Sequence, residues 1–172
     1  MPSQRFRLAI IAFITTVVFA GVGSTFATSP GSDSSKLQPN TPIINSMDEL
    51  TEYVYSDSVA NNPIANLSHE AQARFLAGIT FSDDGVSGLY ITDLVRELPA
   101  SQLYELLSLF GLENAVAQIH GVRVETALDK AIVEGQVGLL SDGSRDWFKE
   151  GYKCDGPGSC VADSAYLCTI NC

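Results

Sequence analysis

The sequence predicts an all-α fold, a small bundle of short helices preceded by an export signal and a linker and followed by a disulfide-stapled C-terminal tail. Three observations predict it. Apolar residues recur at helical spacing between residues 46 and 135, most clearly Leu103, Leu106, Leu107 and Phe110 at i, i+3, i+4 and i+7, with Gly111 at the stop position. Capping residues stand before such stripes, Ser46 ahead of one and Ser68 ahead of another. All four cysteines of the 172-residue chain fall between Cys154 and Cys172, so cysteine chemistry is confined to its end.

In chain order, Arg5 and Arg7 precede an uncharged stretch from Leu8 to Ala27. It is densely apolar from Leu8 to Ile14 and from Val17 to Ala20, then turns small and ends Thr25-Phe26-Ala27. These are the three regions of a secretory signal peptide, which assigns residues 1–27 to a signal cleaved after Ala27. The uncharged stretch is about the minimum that spans a bilayer, but its Gly-, Ser- and Thr-containing second half favours cleavage over an anchor. Export to the periplasm or outside the cell is the expectation, with no membrane contact after cleavage. The formal net charge is −10, and loss of Arg5 and Arg7 takes it to −12. A scattered acidic surface repels nucleic acid and anionic lipid, so neither is an expected partner.

Residues 28–45 are rich in Ser, Pro, Gly and Thr without apolar period and read as a flexible linker. Ser46 and Glu49 then have capping-box spacing, opening a helix from Met47 to about Asp57 with Leu50, Tyr53 and Val54 inward. Asn61-Asn62-Pro63 breaks it. Ser68 caps the next, His69 to Ile79, with Ala71, Phe75, Leu76 and Ile79 dry and Glu70 paired to Arg74 on the wet side. Thr80 to Leu89 reads as a loop turning at Ser82-Asp83-Asp84-Gly85. Its acids lack the alternation of a calcium loop.

Thr92 is expected to cap a short helix from Asp93 to Leu98 that Pro99 ends. The strongest periodic segment, Pro99 to Phe110, follows, and Leu103, Leu107 and Phe110 are expected at the centre of the core. Leu112 to His120 is another short helix closed by Gly121. In the last, Val124 to about Glu134, the inward face is Val124, Ala127, Leu128, Ala131 and Ile132, and the outward one Glu125, Asp129 and Lys130. The helical domain thus covers residues 46–135. Residues 136–153 read as a second linker, and Trp147, Phe148 and Tyr166 are candidates for docking the tail on the helices.

The tail, residues 154–172, is spaced C-x5-C-x7-C-x3-C. Structural zinc prefers C-x2-4-C knuckles and redox catalysis C-x-x-C, so Cys154, Cys160, Cys168 and Cys172 are expected to form two disulfides, with no metal. An exported chain also carries them where disulfides persist. Four cysteines allow three pairings. The turn signal Asp155-Gly156-Pro157-Gly158 permits a local Cys154–Cys160 loop, and the reading leans to the crossed pairing, Cys154–Cys168 with Cys160–Cys172.

No catalytic motif is present: no G-x-S-x-G, no H-E-x-x-H, no P-loop and no dinucleotide fingerprint. His69 and His120 both sit at helix ends, where a structural role suffices. No cofactor and no catalytic residue are therefore expected. Two functional classes remain. One is a non-enzymatic exported binding or structural module acting on a protein partner. The other is the precursor of a secreted Cys-rich peptide, bacteriocin-like or signalling, with residues 28–150 as pro-region. The tail has Asp155 and Asp163 and no Lys or Arg, so it lacks the cationic face of membrane-active peptides, and the module is the favoured reading.

Overall fold

A computed structural model describes residues 44–56, 62–137 and 148–172. Ser46 and Ser68 cap the helices expected of them, although Glu49 reaches the Asn45 amide and not that of Ser46. Ser46 Oγ accepts from the Glu49 amide and opens α1 (Met47–Tyr55), while the Glu49 carboxylate reaches back to the Asn45 amide. Ser68 Oγ accepts from the Ala71 amide and opens α2 (His69–Gly78). Between them Asn62 caps a short 3₁₀ helix, Pro63–Asn66. Asn61 and the expected end of the first helix at Asp57 lie outside the described residues.

Beyond α2 the all-α expectation fails. The segment read as a loop is a hairpin, β1 (Thr80–Ser82) and β2 (Gly85–Tyr90), and its turn lies at Asp83-Asp84 as expected. Two strands come from the other end of the chain, β3 (Phe148–Cys154) and β4 (Cys160–Thr169). All four pair antiparallel in the order β1-β2-β4-β3. The protein is therefore an α/β mix with a four-stranded antiparallel sheet. Residues 148–153, read as the end of a linker, are β3, and most of the segment read as a tail is an inner strand. Gly85-Val86-Ser87-Gly88-Leu89-Tyr90 has little strand propensity of its own; pairing with a strand more than seventy residues away holds it extended (Gly88 opposite Cys168, Leu89 opposite Leu167).

α3 (Thr92–Glu97) begins at Thr92 without a side-chain cap, correcting the role expected of that threonine. α4 (Ala100–Ser108) realises the strongest periodic segment: Leu103, Leu106, Leu107 and Phe110 are all buried, and the Phe110 ring meets Phe75 of α2 edge to face at 6.1 Å. Ile44 ties the start of the described chain to this core, its amide donating to the Leu109 carbonyl at 2.7 Å. The segment expected as a helix from Leu112 is a 3₁₀ helix, Glu113–Gln118. Leu89 of β2 and Leu167 of β4 belong to the same core as α4, so sheet and helices share one interior.

α5 (Ala127–Val133) inverts part of its expected face. Val124 and Ala127 are exposed, and Asp129, expected outward, is completely buried. The reason is a capping box. Thr126 Oγ1 accepts from the Asp129 amide, and Asp129 Oδ2 accepts from the amides of Glu125 and Thr126 and from the Thr126 hydroxyl. Burial by itself raises the carboxyl, but hydrogen bonds from Ser101, Thr126 and Glu125 outweigh it and hold Asp129 at about 2. Arg74, expected beside Glu70, turns instead to Asp93, a buried carboxylate that also receives Arg96.

Candidate functional site

The β3–β4 hairpin and the turn that follows it carry all four cysteines. Its turn forms at the Asp-Gly-Pro-Gly signal, where the Asp155 amide donates to Ser159 O and the Ser159 amide to Gly156 O, both at 2.9 Å. The hairpin then bends sharply. Glu150 pairs with Leu167 but Tyr152 pairs with Ala162, so Asp163 to Tyr166 stand opposite Gly151 alone. Gly151 has a φ of 77°, a conformation that a side chain disfavours. On the other strand Asp163 stabilises the bend, its Oδ1 accepting from the Ala165 amide at 3.1 Å.

The bend folds the tip of the hairpin back over its own base. The Gly158 amide donates to the Cys172 carbonyl at 2.5 Å. Cys154 comes to rest over Gly88: a Cβ placed there would lie 3.5 Å from the Cys154 Cβ and 3.2 Å from Thr80 Oγ1. Gly88 is the ladder partner of Cys168, so the missing side chain makes room for the tip directly above the inner strand.

Two disulfides hold the fold-back. Cys154 is bonded to Cys172 and Cys160 to Cys168. This nested pairing corrects the crossed one towards which the spacing leaned. Cys154 and Cys160 face each other across the hairpin ladder yet are not bonded together. Each joins a cysteine at the base, so both bridges tie tip to base. The sulfurs of Cys160, Cys168 and Cys172 lie within 4.8 Å of one another. Cys168 is fully buried, whereas Cys160 and Cys172 are half-buried.

Tyrosines and lysines pair on both sides of the bend in sequence. Lys149 Nζ lies 3.5 Å from the centre of the Tyr152 ring, and Lys153 Nζ lies 4.9 Å from that of Tyr166. Tyr166 in turn packs edge to face on Tyr90 of β2, with ring centres 5.5 Å apart. Glu150 anchors the hairpin to the helical side. Both of its carboxylate oxygens accept from the His120 amide at 3.2 Å, and Oε2 also meets His120 Nδ1.

Of the expected docking residues, Phe148 packs against the shared core from β3, Tyr166 meets Tyr90, and Trp147 lies outside the described residues. Among the described residues no helix is long and apolar enough to cross a membrane. No protein-family model, curated protein or solved structure matches the chain. Function therefore rests on geometry. The arrangement offers thiol–disulfide chemistry at four clustered sulfurs, and tyrosine–lysine pairs on an otherwise acidic chain.

Sequence reasoning missed Gly88, Gly151, Asp163 and Thr169. Thr169 is buried and its hydroxyl donates to the Val86 carbonyl at 2.5 Å, locking the end of β4 to β2. The only local signal was the run Leu167-Cys168-Thr169, apolar and compact, at the end of a segment read as a tail.

Proposed function

We infer that the protein is an exported, non-enzymatic binding or structural module in which the disulfide-tethered hairpin is a permanent part. The observation that carries this reading is the position of β4, paired to β2 on one side and β3 on the other, with Leu167, Cys168 and Thr169 buried. Release of a Cys154–Cys172 peptide would strip an inner strand from the sheet and open the core at Leu167, which counts against the precursor reading. Export rests on the signal-peptide pattern of residues 1–27, outside the described residues, together with the preference of paired cysteines for oxidising compartments. We assign contact with a protein partner to the hairpin, which carries the half-buried Tyr152 and Tyr166, since tyrosine is enriched at such interfaces.

Mass spectrometry of unreduced culture fluid and cell fractions across growth phases tests this. The expected species is one chain from Thr28 to Cys172, lighter by about four hydrogens than after reduction, as two disulfides require. An abundant free peptide ending at Cys172 and separated from the helical part would replace the module by the precursor. A membrane-bound product that retains Met1 would replace cleavage by anchoring.

A further inference from the structure

Both bridges join tip to base, and the alternative local partners are already close. Cys154 and Cys160 are opposite each other in the β3–β4 ladder. Cys168 and Cys172 are separated by a tight turn in which the Cys172 amide donates to the Thr169 carbonyl at 3.1 Å, and their sulfurs lie within 4.8 Å of each other. We propose that this cluster is a thiol-triggered switch: the two tethering bridges, Cys154–Cys172 and Cys160–Cys168, exchange within the folded chain for two local ones, Cys154–Cys160 and Cys168–Cys172, and so free the tip from the sheet.

The exchange balances without net oxidation or reduction. An external thiolate, from a small thiol or a dithiol protein, attacks Cys154 Sγ. The Cys154–Cys172 bond breaks, Cys172 leaves as the thiolate with the electron pair, and Cys154 is held as a mixed disulfide. Cys172 then attacks Cys168 Sγ, the Cys160–Cys168 bond breaks, and Cys160 leaves as the thiolate. Cys160 finally attacks Cys154 Sγ and expels the external thiolate, which is regenerated. Two disulfides enter and two leave.

Burial sets the direction of the second step. Cys168 is fully buried and a thiolate there is disfavoured, whereas Cys160 is half-buried at the tip and leaves more readily. Cys172 needs no solvent path to reach Cys168, because the fold-back already holds it alongside. The consequence is mechanical: Cys154 no longer has a covalent tie to the base and can lift from Gly88. The same sulfurs would suit a soft metal only after both bridges are reduced, whereas exchange needs only a catalytic thiol.

The test uses the full chain with Cys154→Ser, which leaves the Cys172 thiol beside an intact Cys160–Cys168 bridge. The protein is equilibrated in mildly alkaline buffer without denaturant, quenched in acid, alkylated and mapped by fragmentation. The expected result is that the label moves from Cys172 to Cys160, with Cys168 bonded to Cys172. Label confined to Cys172, or found on Cys168, overturns the proposal. Should the variant fail to fold, the wild-type chain decides. After incubation with catalytic glutathione its disulfide map should gain Cys154–Cys160 and Cys168–Cys172 with no rise in free thiol. A map still wholly nested overturns the proposal.

Discussion

Asp129 Oδ1 accepts a 2.7 Å hydrogen bond from the Ser101 amide, so one carboxylate closes the first turns of two helices. Its other oxygen completes the capping box of α5, and α4, which begins after Pro99 without a side-chain cap, borrows this one from twenty-eight residues downstream. We expect Asp129→Asn to lower stability by about 2–3 kcal/mol at neutral pH, since it leaves buried amide donors poorly satisfied. Urea unfolding measures this, and a variant as stable as the wild type would remove the double cap from the account of the fold.

The same carboxylate makes stability depend on pH in a stated direction. Its folded value of about 2 lies below the ordinary 3.8, so the folded state binds its proton less readily than the unfolded one. The stabilisation is fully present above pH 3.8 and is lost as pH falls from there to about 2. Its size is about 2 kcal/mol, from the difference between the two values. Unfolding free energies across that window should fall for the wild type, and Asp129→Asn should flatten the curve. Parallel curves would assign the acid sensitivity to other groups.

Asp93 is a buried carboxylate between two half-exposed arginines, its side chain 2% exposed against 47% for Arg74 and 62% for Arg96. Either arginine alone can keep it paired, so Arg74→Ala and Arg96→Ala should each cost little, as exposed cations do. Removing both leaves a buried charge without a cation and should cost about 3 kcal/mol. A double-mutant cycle in urea reads the difference, and simple additivity would show that the two pairs act independently.

These two acids show what could be read from the sequence and what could not. α1, α2 and α4 were legible because capping and periodicity are local: Ser46, Ser68 and the Leu103–Phe110 stripe each act within a few residues. The sheet was not, because β2 takes its extended form from β4, and β4 shows no clean alternation while it bends at Asp163. Asp129 was only half hidden: its capping-box spacing from Thr126 is local, whereas its bond from the Ser101 amide comes from another helix. The cysteines were recognised as disulfides from compartment and spacing, but their pairing depends on the fold-back at Gly151, which no spacing encodes.

Gly78, the last residue of α2, approaches β2 so closely that a Cβ would lie 2.5 Å from the Tyr90 Cβ. Alanine in a helix ordinarily stabilises by up to about 1 kcal/mol relative to glycine. Here overpacking outweighs it, because the Tyr90 Cβ sits next to a strand backbone and cannot swing aside. Gly78→Ala should destabilise by about 1–3 kcal/mol. A raised melting temperature would mean that α2 and β2 can separate without loss.

Reduction separates what the disulfides hold from what the core holds. The bridges span 18 and 8 residues in sequence. Each is expected to contribute about 2–3 kcal/mol by restricting the unfolded chain. With both reduced, hydrogen exchange should quicken at the tip, from Asp155 to Ala162, while Leu167 and Thr169 stay protected by β2 and the core. Equal loss of protection at Leu167 would mean that the bridges, not the burial, keep β4 in the sheet.

Leu167 decides whether the C-terminal strand is structural. It has no exposed surface and lies opposite Leu89, in the same cluster as Leu103 and Leu107. Leu167→Ala removes atoms that this core cannot replace and should cost about 2–5 kcal/mol. A chain ending at Lys153 goes further, baring the edge of β2 and the core beneath it, and should lose cooperative unfolding altogether. Circular dichroism melts of both read the outcome. If the shortened chain melts cooperatively at the temperature of the full one, β4 is dispensable to the fold and the precursor reading regains its ground.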